Sequence, residues 1–141
     1  MAIYEDLEPI AEFGEEHSRQ LRAVGWLEAA SVFPTGRVEN RFIERLKELL
    51  EAPFQPAVSP GVHECELCQF GGPLGTRNLF VPGDGVLYVM PELALHYMGA
   101  HHYLPPEEFR DAVLACPDMG TMDYRRKFLA NGGRGLVQDD R

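Results

Sequence analysis

The chain has 141 residues, of which 45% are hydrophobic and 25% are charged, the composition of an ordinary globular protein with one domain. Its formal net charge is −9, and such a field repels phosphate backbones, so the composition disfavours a nucleic-acid binder. No run approaches the roughly 18 consecutive apolar residues of a membrane span, and the acidic N-terminus lacks the basic and apolar regions of a signal peptide. We therefore expect a cytoplasmic protein without membrane attachment.

The first strong element along the chain is an amphipathic helix predicted at about 38–52. Its apolar residues recur at helical spacing and form one stripe, which comprises Phe42, Ile43, Leu46, Leu49 and Leu50. Pro53 ends this helix, because a proline ring cannot continue the helical hydrogen bonding. Upstream of it, Trp26 is expected to lie in the core, since one buried indole removes a large apolar area from water.

A β-hairpin is predicted next, from two short apolar runs at 79–81 and 86–89 that flank a Pro-Gly-Asp-Gly turn. A helix is then expected to open at Pro91, since proline suits the first helical position. The pair Pro105-Pro106 ends this helix, because a proline ring cannot continue the helical hydrogen bonding.

Two more helices are predicted toward the C-terminus. One begins with the sequence "PPEEF", and the last has Thr121 as its N-cap and Asn131-Gly132 as its C-cap. The basic cluster "YRRKF" at 124–128 is typical of a solvated helix face. The sequence therefore predicts a single α+β domain at 1–133, followed by a frayed tail at 134–141.

Cysteines and histidines recur between these elements in the spacing Cys65-x2-Cys68-x27-His96-x4-His101. The chain has 3 cysteines, an odd number, and no secretion signal, so a disulfide framework is a poor interpretation. A Cys-x2-Cys turn directs two thiolates into one small space, and a histidine pair near a helix end can complete a tetrahedral zinc site. We call the Cys-x2-Cys turn the knuckle. The order of knuckle, hairpin and helix along the chain is that of a treble-clef-like zinc finger.

Three histidines compete for the position of the fourth ligand, and helix geometry ranks them. His96 and His101 lie about 140° apart around an ideal helix, so they share a metal only if the helix end loosens, for which Gly99 is suitably placed. His63, two residues before Cys65, can fold back into the knuckle and is the strongest rival of His101. His102 is placed worse, at about 240°.

The remaining cysteine and histidine are expected to be ordinary residues. Cys116, just before Pro117, is predicted to be a small buried side chain, and His17 is predicted to have no role as a ligand. A redox role for Cys65 and Cys68 is disfavoured, because such pairs open a helix in a βαβ setting, and here a glycine-rich loop follows.

The alternative class is a metal-dependent hydrolase with an open zinc site in the pocket of His63, His101 and His102. Its zinc keeps one coordination position open for water. Such an enzyme needs a carboxylate base, for which Glu64, Glu66 and Glu92 are near in sequence. The zinc deaminase motif fails, since "HECELC" has no His-x-Glu and no proline before the pair. A ββα-metal nuclease needs a histidine on its first strand, and "NLFV" has none, although Asn78 and His96 are loosely compatible.

Five sequence blocks together resemble an uncharacterised family of bacterial single-domain proteins. They are "YEDLEP" at 4–9, "VGWL" at 24–27, "GVHECELC" at 61–68, "PELALHYMGAHHYLPPEEFRDAV" at 91–113 and "ACP" at 115–117. The resemblance covers nearly the whole chain, and the patterns HxCxxC and HYxxxHxYxPPxEF are specific in combination. It implies a fold and a metal but no activity, so no catalytic residue is transferred.

Taken together, the sequence predicts a small α+β domain built around a treble-clef-like zinc finger, with additional helices packed on it. Cys65, Cys68, His96 and His101 are the predicted ligands of a structural Zn²⁺, because thiolate and imidazole suit zinc better than Mg²⁺ or Ca²⁺. The predicted role is that of a non-enzymatic interaction module which binds another protein, and its acidic surface suits a basic partner.

Overall fold

The structure is a computed structural model of the chain, described here for residues 4–10, 20–56, 63–68 and 72–137, with the backbone alone at residue 63. In chain order its elements are β1 (Leu21–Ala23), α1 (Asn40–Glu51), β2 (His63–Glu64), β3 (Leu74–Gly75), β4 (Asn78–Pro82), β5 (Leu87–Pro91), α2 (Leu93–His101), α3 (Glu107–Ala115), α4 (Met122–Phe128), a π-helical turn (Leu129–Gly133) and α5 (Arg134–Val137). The predicted α+β class is confirmed.

The predicted hairpin is the centre of the main sheet. Strands β4 and β5 pair antiparallel, with Phe80 opposite Val89, and every residue of both strands is buried. β1 pairs parallel with β5, which gives the order β1-β5-β4 in the described part of the chain. Gly85 in the connecting turn has φ +77°, a left-handed conformation that glycine adopts without steric cost.

The predicted start of the next helix at Pro91 is wrong by two residues. Pro91 is the last residue of β5, opposite Asn78, and α2 begins at Leu93. Proline is tolerated at a strand end because it lacks only the N–H that a ladder would use. The backbone N–H of Glu92 then donates to the carbonyl of Arg77, which prolongs the pairing by one residue before the helix begins.

Helix α1 packs its apolar stripe into the core as predicted. Phe42, Leu46, Leu49 and Leu50 are buried and Ile43 is half-buried. The helix contacts α3, where the rings of Phe42 and Phe109 meet edge to face at 6.3 Å. Trp26 is fully buried, and its Nε1 donates to the carbonyl of Val89 at 2.9 Å. This hydrogen bond fixes the segment that follows β1 to strand β5.

Helix α4 begins at its predicted N-cap, and the helical conformation after it breaks at the predicted C-cap residues. The Oγ1 of Thr121 accepts a hydrogen bond from the backbone N–H of Tyr124, which confirms the N-cap of α4. The helical conformation breaks at Asn131 and at Gly132, whose φ is +120°. α5 lies within the predicted tail and buries Leu136. Residues 138–141 are outside the described range, so the domain boundary at 133 stays a prediction.

Across the described ranges, no helix combines the length and the apolar composition that crossing a membrane requires.

Candidate metal centre

Four side chains converge where α2 meets the β2–β3 pair. The ligating atoms of Cys65, Cys68, His96 and His101 all lie within 4.8 Å of one another. The Sγ of Cys68 is 3.2 Å from the Nε2 of His96 and 3.4 Å from the Nε2 of His101. The Sγ of Cys65 is 3.5 Å from the same His101 nitrogen. The structure thus brings together the four residues that the sequence singles out.

These distances fit a tetrahedral zinc ion. With Zn–S near 2.3 Å and Zn–N near 2.0–2.1 Å, the S···N edge of a regular tetrahedron is about 3.5 Å. The three measured S···N distances of 3.2–3.5 Å are close to that edge. Both cysteines are free thiols rather than a disulfide. The cluster could therefore hold a metal ion without rearrangement of the four side chains.

The cysteine side of the cluster is positioned by a tight backbone turn. Cys65 follows β2 directly, and its backbone N–H donates to the carbonyl of Pro73 at 3.1 Å, which continues the antiparallel pairing of β2 with β3. Gly72 lies against this turn: a Cβ atom there would be 2.6 Å from the Cβ of Cys65 and 3.2 Å from that of Cys68. Gly72 is a residue that the sequence reasoning missed.

The histidine side is carried by α2, which is anchored in the core through four buried residues, Leu93, Ala94, Tyr97 and Met98. His96 is in the second turn and His101 is the last residue of the helix. Side chains lean toward the N-terminus of their helix, so the ring of His101 reaches back toward His96. The two rings lie 5.2 Å apart at 81°.

The helix does not loosen at Gly99, contrary to the expectation. Gly99 lies inside α2, and the helix ends at His101, with His102 as its C-cap. There, His102 takes the left-handed conformation with φ +59°, and its backbone N–H donates to the carbonyl of Tyr97. His102 is exposed and is not part of the cluster, so its conformation serves to end the helix.

Glu92 joins the start of α2 to the β3–β4 turn. Its Oε2 accepts hydrogen bonds from the backbone N–H groups of Thr76 at 2.7 Å and Arg77 at 2.9 Å, and its Oε1 contacts the Arg77 Nε at 3.1 Å. Partial burial alone raises the pKa of Glu92, but these hydrogen bonds and the Arg77 charge lower it below its ordinary value. The carboxylate is therefore fully used in positioning α2, which weakens its case as the base of a hydrolase.

The protonation of the cluster itself also bears on metal binding. Burial, together with the neighbouring His101, lowers the pKa of His96, so its imidazole is neutral at pH 7, as a metal ligand must be. Desolvation and the adjacent Cys65 raise the pKa of the Cys68 thiol. A cation between the two sulfurs would reverse this second effect, because it stabilises both thiolates.

Tyr97 is a second residue that sequence reasoning missed. Its side chain is fully buried, and its hydroxyl has no hydrogen-bond partner within the described residues. Burial, then the nearby Cys65 and Glu66, raises the pKa of Tyr97 to about 12. The phenol therefore stays protonated and offers an O–H donor near the thiol groups. Its position directly after His96 is the only sequence signal for it.

The other candidate residues lie elsewhere. Cys116 is buried after α3, as predicted, and burial raises the pKa of its thiol to about 11. Asn78 is buried in β4 and is not in the cluster. Glu64 and Glu66 are exposed. His63 lies in β2 by its backbone, whereas its side chain and the whole of His17 are outside the described residues, so their predictions stay open.

Comparison with known proteins yields one match. No curated protein and no solved structure matches the chain. Residues 2–114 match a family described as Domain of unknown function (DUF7919), and this range contains all four residues of the cluster. The resemblance to an uncharacterised family is thereby confirmed: the chain belongs to the DUF7919 family.

Proposed function

We propose that the protein binds one Zn²⁺ through Cys65, Cys68, His96 and His101, and that this ion has a structural role. The observation that carries the proposal is the convergence of two thiols and two imidazoles at S···N distances of 3.2–3.5 Å. Thiolate and imidazole ligands in a tetrahedral arrangement favour zinc among the common divalent ions.

A structural role follows from the number of ligands. Four protein ligands complete the tetrahedral shell, whereas a catalytic zinc keeps one position for water. The element order supports a treble-clef-like arrangement, in which the turn of Cys65 and Cys68 is followed by the β4–β5 hairpin and by α2 with both histidines. In such a site, the free energy of metal binding adds directly to the free energy of folding.

The biological role that fits a closed metal site is protein binding, and the acidic surface offers a place for it. A groove of about 820 Å³ is bordered by Glu5, Asp6, Glu8 and Glu28. It contains Phe33 and the almost completely exposed Val32, which is 99% accessible. Carboxylates around an apolar surface suit a basic segment of a partner protein with an apolar side chain.

The first experiment is metal analysis by native mass spectrometry of protein purified without chelators. We expect one zinc per chain in the wild type, none in Cys65→Ser, and one in the control Cys116→Ala, because Cys116 is buried away from the cluster. Replacement by Co²⁺ should give the intense visible spectrum of a tetrahedral site with thiolate ligands. A folded wild type that takes up neither zinc nor cobalt would contradict the proposal.

A further inference from the structure

A second groove, which we call the α1–α2 groove, lies between α1, residues 35–38 and the outer face of α2. Its volume is about 800 Å³, within the usual range of roughly 300–1,000 Å³ for ligand-binding clefts. The apolar residues along it are Val38, Ile43, Leu95 and Met98. Of these, Val38, Ile43 and Leu95 are only half-buried, so the groove presents apolar surface to solvent.

The charge of this groove is opposite to that of the whole protein. Arg37, Lys47, His101 and His102 line it, and no carboxylate lines it within the described part of the chain. For a protein of net charge −9, a groove whose only formal charges are the two cations Arg37 and Lys47 is a local exception. Two neighbouring carboxylates have cationic partners: Glu48 of α1 contacts Arg45 at 2.7 Å, and Glu39, just before α1, is 3.6 Å from Arg41.

Arg37 and Lys47 themselves have no ion pair among the described residues and are exposed. Two unpaired cations beside an open apolar surface satisfy the two requirements of an amphipathic anionic ligand. An extended peptide meets them better than a compact metabolite, because the groove runs from the 35–38 segment along two helices rather than enclosing a cavity.

We propose that the α1–α2 groove binds an acidic peptide segment of a partner protein, with carboxylates on Arg37 and Lys47 and an apolar side chain on Ile43 and Leu95. The arrangement is independent of the acidic groove, which would take a partner of opposite charge. Neither cation is a ligand of the cluster, whereas His101, which is one, also lines the groove. Charge complementarity of this kind contributes specificity and association rate, and an apolar contact contributes affinity.

Gly99 provides a way to block the groove without disturbing the core. It lines the groove inside α2, and a Cβ atom there would have no heavy atom within 4 Å. Gly99→Phe should therefore fold and fill the groove, whereas Gly99→Ala should leave it open.

The test is fluorescence anisotropy with a labelled peptide of alternating Glu and Leu, and with the same peptide carrying Lys in place of Glu. We expect the wild type to bind the Glu peptide alone, more weakly as salt concentration rises. Arg37→Glu with Lys47→Glu should weaken this binding at least tenfold, and so should Gly99→Phe. Gly99→Ala should bind the Glu peptide as the wild type does, and so should Arg126→Glu, at an exposed position of α4. Circular dichroism establishes that each variant is folded.

Three results would overturn the proposal: no binding of the Glu peptide by the folded wild type, equal binding of the Lys peptide, or unchanged binding by the double charge reversal. A folded wild type that binds the Glu peptide but takes up no zinc would instead count against the metal proposal alone, so the failures of the two proposals are distinguishable.

Discussion

The sheet and the metal cluster are held together by different physical means. Every residue of β4 and β5 is buried, and the hydrophobic effect stabilises that region in proportion to the apolar area removed from water. At the cluster, by contrast, Cys65 is buried, yet Cys68 is half-buried and the neighbouring Leu74 is 65% exposed. The short β2–β3 pair buries little apolar surface of its own, so on the proposal of a structural zinc the ion would stabilise a region that packing holds weakly. α2 links the two regions, because it buries four residues in the core and also carries both histidines.

The largest effect should come from removing the metal. Structural zinc in small peptides binds with an apparent free energy of roughly 10–16 kcal/mol at pH 7, although a region partly held by packing should lose less. We expect chelation to abolish hydrogen-exchange protection at 63–68 and 72–75 first and in α2 next, while 78–91 keeps its protection. Uniform loss of protection across the domain would remove the distinction between the two regions.

Phe128→Ala should damage the sheet side and spare the metal. Phe128 is fully buried, and its ring contacts those of Phe54, Phe80 and Tyr124 at 5.3–6.3 Å. Large-to-small substitutions of this kind cost about 3–5 kcal/mol through lost transfer energy and the cavity left behind. Urea denaturation should show this loss, and native mass spectrometry should still show one zinc per folded chain. Phe128→Leu, which retains more volume, should cost less.

Gly72→Ala should weaken zinc binding and spare the sheet, with a smaller loss of free energy than Phe128→Ala causes. The added Cβ would overlap the Cβ of Cys65 at 2.6 Å, so the knuckle must shift and the sulfurs with it. Overpacking typically costs about 1–3 kcal/mol, which corresponds to roughly five- to 150-fold weaker zinc binding in a competition titration with a chromophoric chelator. The control Gly99→Ala adds the same methyl group to open space and should leave zinc affinity unchanged.

The same difference explains how far the sequence could predict the molecule. The sequence predicts the apolar stripe from Phe42 to Leu50 and the β4–β5 hairpin, because periodicity and turn chemistry are local signals. The four cluster residues could be identified because few residue types bind zinc and their spacing is characteristic. The roles of Gly72 and Glu92, however, depend on contacts between elements. So does the start of α2, since Pro91 suits a helix as well as a strand end until its partner Asn78 is known.

Glu92→Gln should give the smallest effect, and one that depends on pH. The hydrogen bonds that lower the pKa of Glu92 stabilise the folded state fully above the ordinary glutamate pKa of 4.5, and this contribution is lost as pH falls through the lower folded-state pKa. Since the Arg77 side chain is 43% exposed, solvent screening limits the loss in Glu92→Gln to about 1 kcal/mol at pH 7. In urea denaturation, the stability gap between wild type and variant should therefore close on acidification. Because both proteins lose a bound metal together at low pH, the gap isolates the carboxylate. The exposed Glu44→Gln on α1 serves as control. A gap for Glu92→Gln that stays constant with pH would show that ionisation of this carboxylate does not stabilise the junction between α2 and the β3–β4 turn.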